Sequence, residues 1–168
     1  MNQPSITFQG NKLTLMGQPL EVGAKLPAFK LVGNDMGDVT NENFKNKKVL
    51  ISVVPSLDTP VCAIETKKLN EQLGKMNDKL AVLTVSMDLP FAQKRWCGQE
   101  NVENVITASD YKYRSFGEDF GVHIKEWGLL ARAVFLADEN GKVVYSEYVP
   151  EISAEPNYDA IMKAVESL

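Results

Sequence analysis

Apolar and polar positions alternate from Ile6 to Leu15 with Gly10-Asn11 between the halves, a pattern that predicts a β-hairpin with a two-residue turn. The stretches Glu21 to Pro27 and Gly33 to Asn46 are rich in Gly, Asn, Asp and Pro and read as surface connections. Val49 to Val54 is a β-branched run of the kind that fills the middle of a covered sheet. Pro55 ends it, because proline cannot donate to a ladder. Asp58-Thr59-Pro60-Val61-Cys62 has the chemistry of a helix start. Thr59 suits the N-cap, Pro60 the first helical position, and Glu65 the early turns, where the helix dipole favours an acid. Cys62, Leu69, Leu73 and Met76 recur at helical spacing, and Gly74 with Asn77-Asp78 marks the exit.

Leu80 to Val85 is a second β-rich run, and Asp88-Leu89-Pro90 repeats the cap-and-proline start for a helix carrying Phe91, Arg95, Trp96 and Cys97. Val105 to Ala108 is a shorter strand candidate. Arg132 to Leu136 and Lys142 to Tyr145 flank Asp138-Glu139-Asn140-Gly141, a hairpin signal. Pro156 to Leu168 closes the chain as an amphipathic helix, with Tyr158, Ile161, Met162, Val165 and Leu168 on one side. Strands alternate with helices and a late antiparallel hairpin is added, so the pattern predicts a mixed α/β sheet with helices on both faces.

Composition narrows the function. The chain has 168 residues, 18 Lys+Arg against 22 Asp+Glu and a formal charge of −4, which suits one ordinary domain over 1–168. An acidic balance argues against nucleic acid or an anionic membrane surface as main partner. Its longest apolar runs, such as Ala133 to Ala137, fall far below the ~18 residues that span a bilayer. The start, Met1 to Ser5, has neither a charged nor an apolar leader segment, so the expectation is a cytoplasmic protein. Two cysteines, Cys62 and Cys97, are then either inert packing or redox chemistry, because a stapling disulfide fits a reducing compartment badly.

Cys62 falls at the third position of its helix, where unpaired backbone N–H groups and the positive dipole end favour an anion. The loop before it leaves the carboxyl end of a sheet strand, the edge where ligands bind in open α/β folds. The Thr59 hydroxyl can accept from the helix amides and donate toward whatever the sulfur attacks. On position alone Cys62 is either a reactive thiol or a small buried packing residue.

Pro55-Ser56-Leu57-Asp58-Thr59-Pro60-Val61-Cys62 has the spacing P-x-x-x-T-x-x-C, the active-site signature of peroxiredoxins. From about Ile6 onward the chain resembles the bacterial thiol peroxidase subgroup of that family. The N-terminal hairpin, Asp58 to Cys62, Cys97 on the next helix, Leu130-Ala131-Arg132-Ala133-Val134 and Val149 to Tyr158 all match. The resemblance implies a thioredoxin-like fold in a single domain, with residues 1–17 as an N-terminal β-hairpin extension. It also implies that the Cys62 thiolate attacks the peroxide to become a sulfenic acid, as the peroxidatic cysteine. Pro55 would shield that thiolate, Thr59 hydrogen-bond the peroxide and Arg132 supply positive charge. Read without the resemblance, Arg132 is a strand-end arginine paired with a surface carboxylate, worth under ~1 kcal/mol.

Cys97 forms no C-x-x-C with Cys62, and two cysteines with a single histidine, His123, make a poor metal site. In the subgroup the matching cysteine is the resolving one: it forms an intramolecular disulfide with Cys62 that reduced thioredoxin resets. The expected enzyme is therefore an antioxidant peroxidase needing no metal, haem, flavin or other cofactor, with hydroperoxide as substrate and a homodimer as its usual assembly. Bridging two cysteines on separate helices requires Cα atoms within about 7 Å, so the first turn at Cys62 and the Trp96-Cys97-Gly98 segment are expected to unwind in part. Leu57, Phe91 and Trp96 read either as core packing or as the lining of an access path for bulky hydroperoxides. Two rival readings are a redox sensor built on the same cysteine pair and a catalytically dead binding module.

Overall fold

The computed structural model describes residues 3–73 and 79–168. The helix-exit signal at Gly74 and Asn77-Asp78, the Met76 position and the Met1-Asn2 start lie outside them. The N-terminal alternation builds β1 (Ile6–Phe8) antiparallel to β2 (Asn11–Leu13). Phe8 pairs with Asn11, so the turn residues are Gln9 and Gly10, one position earlier than the sequence pattern suggests. Both have positive φ, 51° and 83°, as a primed hairpin turn demands, and glycine supplies that conformation without strain.

β3 (Leu15–Met16) follows, and then the Gly- and Asp-rich region departs from its reading as connection. The stretch from Gly33 to Asn46 carries β5 (Asp38–Thr40), and β4 (Lys30–Gly33) precedes it, between the two stretches read as connections. Leu31 and Val32 are buried and Val32 pairs with Ser109; Val39 pairs with Leu31, so at β5 strand pairing overrides a local composition that favours turns. The next elements match the periodicity closely: β6 (Lys48–Val53), α1 (Pro60–Gln72), β7 (Leu80–Ser86), α2 (Pro90–Gln99) and β8 (Ile106–Ser109). A short α3 (Phe116–Asp119) leads to β9 (His123–Ile124) and β10 (Leu129–Leu130). The late hairpin is β11 (Ala133–Ala137) with β12 (Val143–Tyr148), and α4 (Tyr158–Glu166) ends the fold.

Among the described residues, seven strands form the main sheet in the order β12-β11-β6-β7-β8-β4-β5. The centre, β6-β7-β8, is parallel, and both flanks are antiparallel. Successive side chains of a strand point to opposite faces, and this alternation sorts the core. Val49, Ile51, Val53 and Phe135 point to one face, where Phe116 and Phe120 of the α3 segment stack at 4.0 Å between ring centroids. Leu50, Val134 and Leu136 point to the other, against Leu69 of α1, Trp96 of α2 and Ile161 and Val165 of α4. Burying Ile161 and Val165 stabilises the α4 docking by about 1.5–3 kcal/mol per side chain. Helices therefore cover both faces unequally, and Cys62 lies in the face packed by α1, α2 and α4.

Candidate active site

Two helix-start readings need correction. Thr59 occupies the N-cap of α1 with Pro60 after it, but its side chain makes no cap hydrogen bond among the described residues. Its hydroxyl instead donates to the Ser56 carbonyl at 2.9 Å, which leaves its lone pairs facing outward as acceptors. At α2 the N-cap is Leu89, not Asp88. Asp88 turns away and accepts from Ser56 Oγ at 2.7 Å, Leu57 N at 2.8 Å and Ser86 Oγ at 2.8 Å.

Cys62, at the third position of α1, is fully buried. Arg132 stands immediately before β11, in phase with Val134 and Leu136, so it points to the α1 face. Its Nη2 donates to the Cys62 sulfur at 3.2 Å, its Nη1 to Glu65 Oε2 at 2.6 Å and its Nε to the Ile152 carbonyl at 3.0 Å. The surface-pair reading of Arg132 is therefore overturned: its side chain is 2% exposed and Glu65 is wholly buried. Burial works against the Arg132 charge, but Glu65 and Cys62 outweigh it and hold the guanidinium above its ordinary range. Burial pushes the Glu65 carboxyl up to about 7, against the opposing pull of Arg132 and of Ser52 Oγ, which donates to Glu65 Oε1 at 2.9 Å. Glu65 is thus no solvent-facing dipole partner but the anchor of a buried Ser52–Glu65–Arg132 chain ending on sulfur. A cation held against a sulfur at a helix N-terminus favours negative charge on that sulfur.

An open cavity of about 310 Å³ lies beside this chain. Arg132 and Thr59 reach into it, Pro55 forms part of its wall, and Phe8, Trp127 and Ile152 make much of the rest. Proline has no N–H to offer a water molecule there. Among the described residues, Leu57 and Trp96 are absent from this lining and belong to the core, while Phe91 is 69% exposed, so none of the three lines the path suggested for it. The wall comes instead from the N-terminal hairpin and the β9–β10 turn, with Phe8 and Trp127 edge to face at 5.0 Å.

Cys97 lies outside this cluster, half-buried on α2, and both cysteines are free thiols. Its sulfur sits 3.7 Å from Thr107 Oγ1. Burial pushes the Cys97 thiol up, partly offset by that hydroxyl. Ser52 escaped the sequence reading and Glu65 entered it only as a dipole-favoured acid, although both left a trace. Glu65 follows Cys62 by three positions, hence on one helix face, and Ser52 is the lone polar residue in the Val49 to Val54 run.

Fold and site together define a class, a thioredoxin-like α/β protein whose chemistry is that of a thiol. Residues 21–162 match the Redoxin family model. The thiol peroxidase of Bacillus subtilis is 48% identical, over 97% of this chain and 97% of that protein. A thiol peroxidase of Listeria innocua is 49% identical, over 95% of this chain and 96% of its own length. A peroxiredoxin-like protein from Aquifex aeolicus superposes with a TM-score of 0.90 at 45% identity, covering 98% of this chain and 97% of that one. The chain belongs to the Redoxin family, among its thiol peroxidases of the peroxiredoxin kind.

Proposed function

We propose that this thiol-dependent peroxidase works through Cys62, in a cycle closed by Cys97 and a reduced thioredoxin. The observation that carries the reading is the 3.2 Å approach of Arg132 Nη2 to the Cys62 sulfur. In the first step the thiolate attacks the terminal peroxide oxygen. An S–O bond forms, the O–O bond breaks, and sulfur loses two electrons to the leaving oxygen, which takes up the proton that the thiol released on ionising and departs as water or alcohol. Negative charge moves from sulfur onto that leaving oxygen, so a fixed cation beside both is stronger in the transition state than in the ground state. Thr59, with its proton given to Ser56, accepts from the hydroperoxide O–H and orients it. Pro55 keeps competing water from the sulfur.

In the second step the Cys97 sulfur attacks the Cys62 sulfenic acid, forming the disulfide and releasing water. Cys97 has to leave its seat at Thr107 and the first turn of α1 has to open, with Gly98, which lacks a Cβ, as the yielding point beside Cys97. Thioredoxin then takes the disulfide in exchange for its own dithiol. The apolar walls of the cavity favour organic hydroperoxides alongside hydrogen peroxide. We further propose an antioxidant role in the cytoplasm, as a homodimer. Among the described residues no helix is long and apolar enough to cross a membrane.

A coupled assay with thioredoxin, thioredoxin reductase and NADPH tests the reading. Many equivalents of hydroperoxide are consumed per chain if it is correct, whereas a sensor oxidises about once. Cys97→Ser reacts once with peroxide and then stops, and Cys62→Ser does neither. Peroxide consumption by Cys62→Ser overturns the assignment.

A further inference from the structure

We propose that Asp88 is a positioning residue that couples the two halves of the cycle; this inference rests on the peroxidase reading above. Its carboxylate is the junction of the two segments that carry the cysteines. On one side it accepts from Ser56 Oγ at 2.7 Å and from Leu57 N at 2.8 Å, in the loop that leads into Cys62. On the other it lies two residues before α2 and accepts from Ser86 Oγ at 2.8 Å. Ser86 Oγ in turn accepts from Gln93 Nε2 at 3.0 Å, and Gln93 Nε2 also reaches the Ala108 carbonyl at 3.0 Å. Gln93 stands one helical turn before Cys97, on the same face of α2. One acceptor thus holds the entry to the Cys62 helix and, through a serine, the buried face of the Cys97 helix.

Two consequences of opposite sign follow. The Ser56 carbonyl is the acceptor for Thr59 Oγ1 at 2.9 Å and for Thr59 N at 3.2 Å. With Ser56 pinned by Asp88, Thr59 is held with its lone pairs toward the cavity, so Asp88 promotes the peroxide step through Ser56 and Thr59. Disulfide formation needs the opposite. The turn at Cys62 and the end of α2 have to leave their seats, and each hydrogen bond to Asp88 resists that departure. Asp88 therefore speeds attack on the peroxide and slows resolution, holding the sulfenic acid folded until the reaction is complete.

Rapid-quench single turnovers with hydrogen peroxide test this, with mass spectrometry separating dithiol, Cys62 sulfenic acid and disulfide. Wild type passes through the two steps in order. Asp88→Asn keeps the shape but puts an amide N–H₂ where an acceptor is needed. It slows the first step roughly tenfold to a hundredfold, the scale of a small misplacement near the reacting atoms, and speeds the second. Ser56→Ala, which spares the Leu57 contact, moves both rates in the same directions by less. General loosening moves the rates the same way, so Val143→Ala in β12, buried on the other face of the sheet, is run beside them. At a matched loss of urea stability its split is smaller than that of Asp88→Asn, and an equal split overturns the proposal. If Asp88→Asn leaves both rates at the wild-type value, or slows both, the proposal is overturned. If Asp88→Asn fails to fold, unchanged rates in Ser56→Ala overturn it. Absence of any Cys62 oxidation in wild type fails the peroxidase reading instead, so the two failures are distinct.

Discussion

Arg132 and Cys62 stand 70 positions apart in the chain, and Arg132 Nη2 donates to the Cys62 sulfur at 3.2 Å. The same guanidinium is fixed by Glu65 through Nη1 and by the Ile152 carbonyl through Nε, so its charge is aimed before any substrate arrives. A lysine carries the charge but not the planar fork, and cannot serve sulfur, carboxylate and carbonyl together. Arg132→Lys is expected to slow sulfenic acid formation by about 10²–10³-fold, the range for loss of one preorganised donor at a developing charge. Single-turnover kinetics reads it, and a rate within a few-fold of wild type would show that fixed geometry matters less than charge alone.

Glu65 gives a pH signature. Burial raises its carboxyl from an ordinary 4.5 to about 7 in the folded chain, so the folded state holds this proton more tightly than the unfolded state. The stability this contributes is fully present below about pH 4.5 and is lost as pH climbs through about 7. Glu65→Gln is neutral at every pH and lacks the change. Urea unfolding of both proteins at several pH values between 4.5 and 8 should show wild type losing stability relative to Glu65→Gln as pH rises. A constant gap between them would sink the assignment.

Much of the site was legible before the fold, for local reasons. Proline at a strand end and Thr59-Pro60 ahead of Cys62 are short-range signals, and they locate β6, the start of α1 and the cysteine at its third position. Roles that depend on pairing across the fold were not. Asp88 looked like a helix cap because Asp before Leu-Pro usually is one, yet the Cys62 loop lies close enough to claim its oxygens. Glu65 looked like a dipole partner because a helix start favours acids, and its inward partners, Arg132 and Ser52, lie outside its own helix. Strand parity held a usable clue. Arg132 shares a face with Val134, Val134 pairs with Ser52, and Ser52 reaches Glu65. Strands β4 and β5 stayed hidden because they are short and pair with each other across a Gly- and Asp-rich turn that reads as loop, while the partner that ties them to the sheet, β8, is distant in sequence.

Cys97 is buried enough that its thiol is pushed up from an ordinary 9.0, with the Thr107 hydroxyl opposing. In the Cys62→Ser protein, alkylation of Cys97 by iodoacetamide should therefore rise with a midpoint above about pH 9 while the chain is folded. In denaturant the midpoint should fall back to the ordinary free-thiol value. Thr107→Val removes the opposing hydroxyl and should shift the folded midpoint higher still. A folded midpoint at or below the denatured one would mean that Cys97 is not held in its buried seat.

The last expectation concerns what the cavity accepts. Phe8 from the N-terminal hairpin and Trp127 from the β9–β10 turn meet edge to face at 5.0 Å and line the same cavity as Thr59 and Pro60. The hairpin is held there by backbone bonds from Thr7 N to the Pro150 carbonyl and from Ile152 N to the Thr7 carbonyl. An alkyl or aryl group on a hydroperoxide would bury its apolar surface against these rings, whereas hydrogen peroxide has nothing to bury. Phe8→Ala and Trp127→Ala should each lower kcat/KM for cumene hydroperoxide about 10–100-fold, the scale of one to a few lost apolar contacts in a pocket. Hydrogen peroxide should be nearly unaffected, because Arg132 and Thr59 stay in place. Equal losses for both peroxides would show that the hairpin supports the site as a whole instead of selecting what enters it.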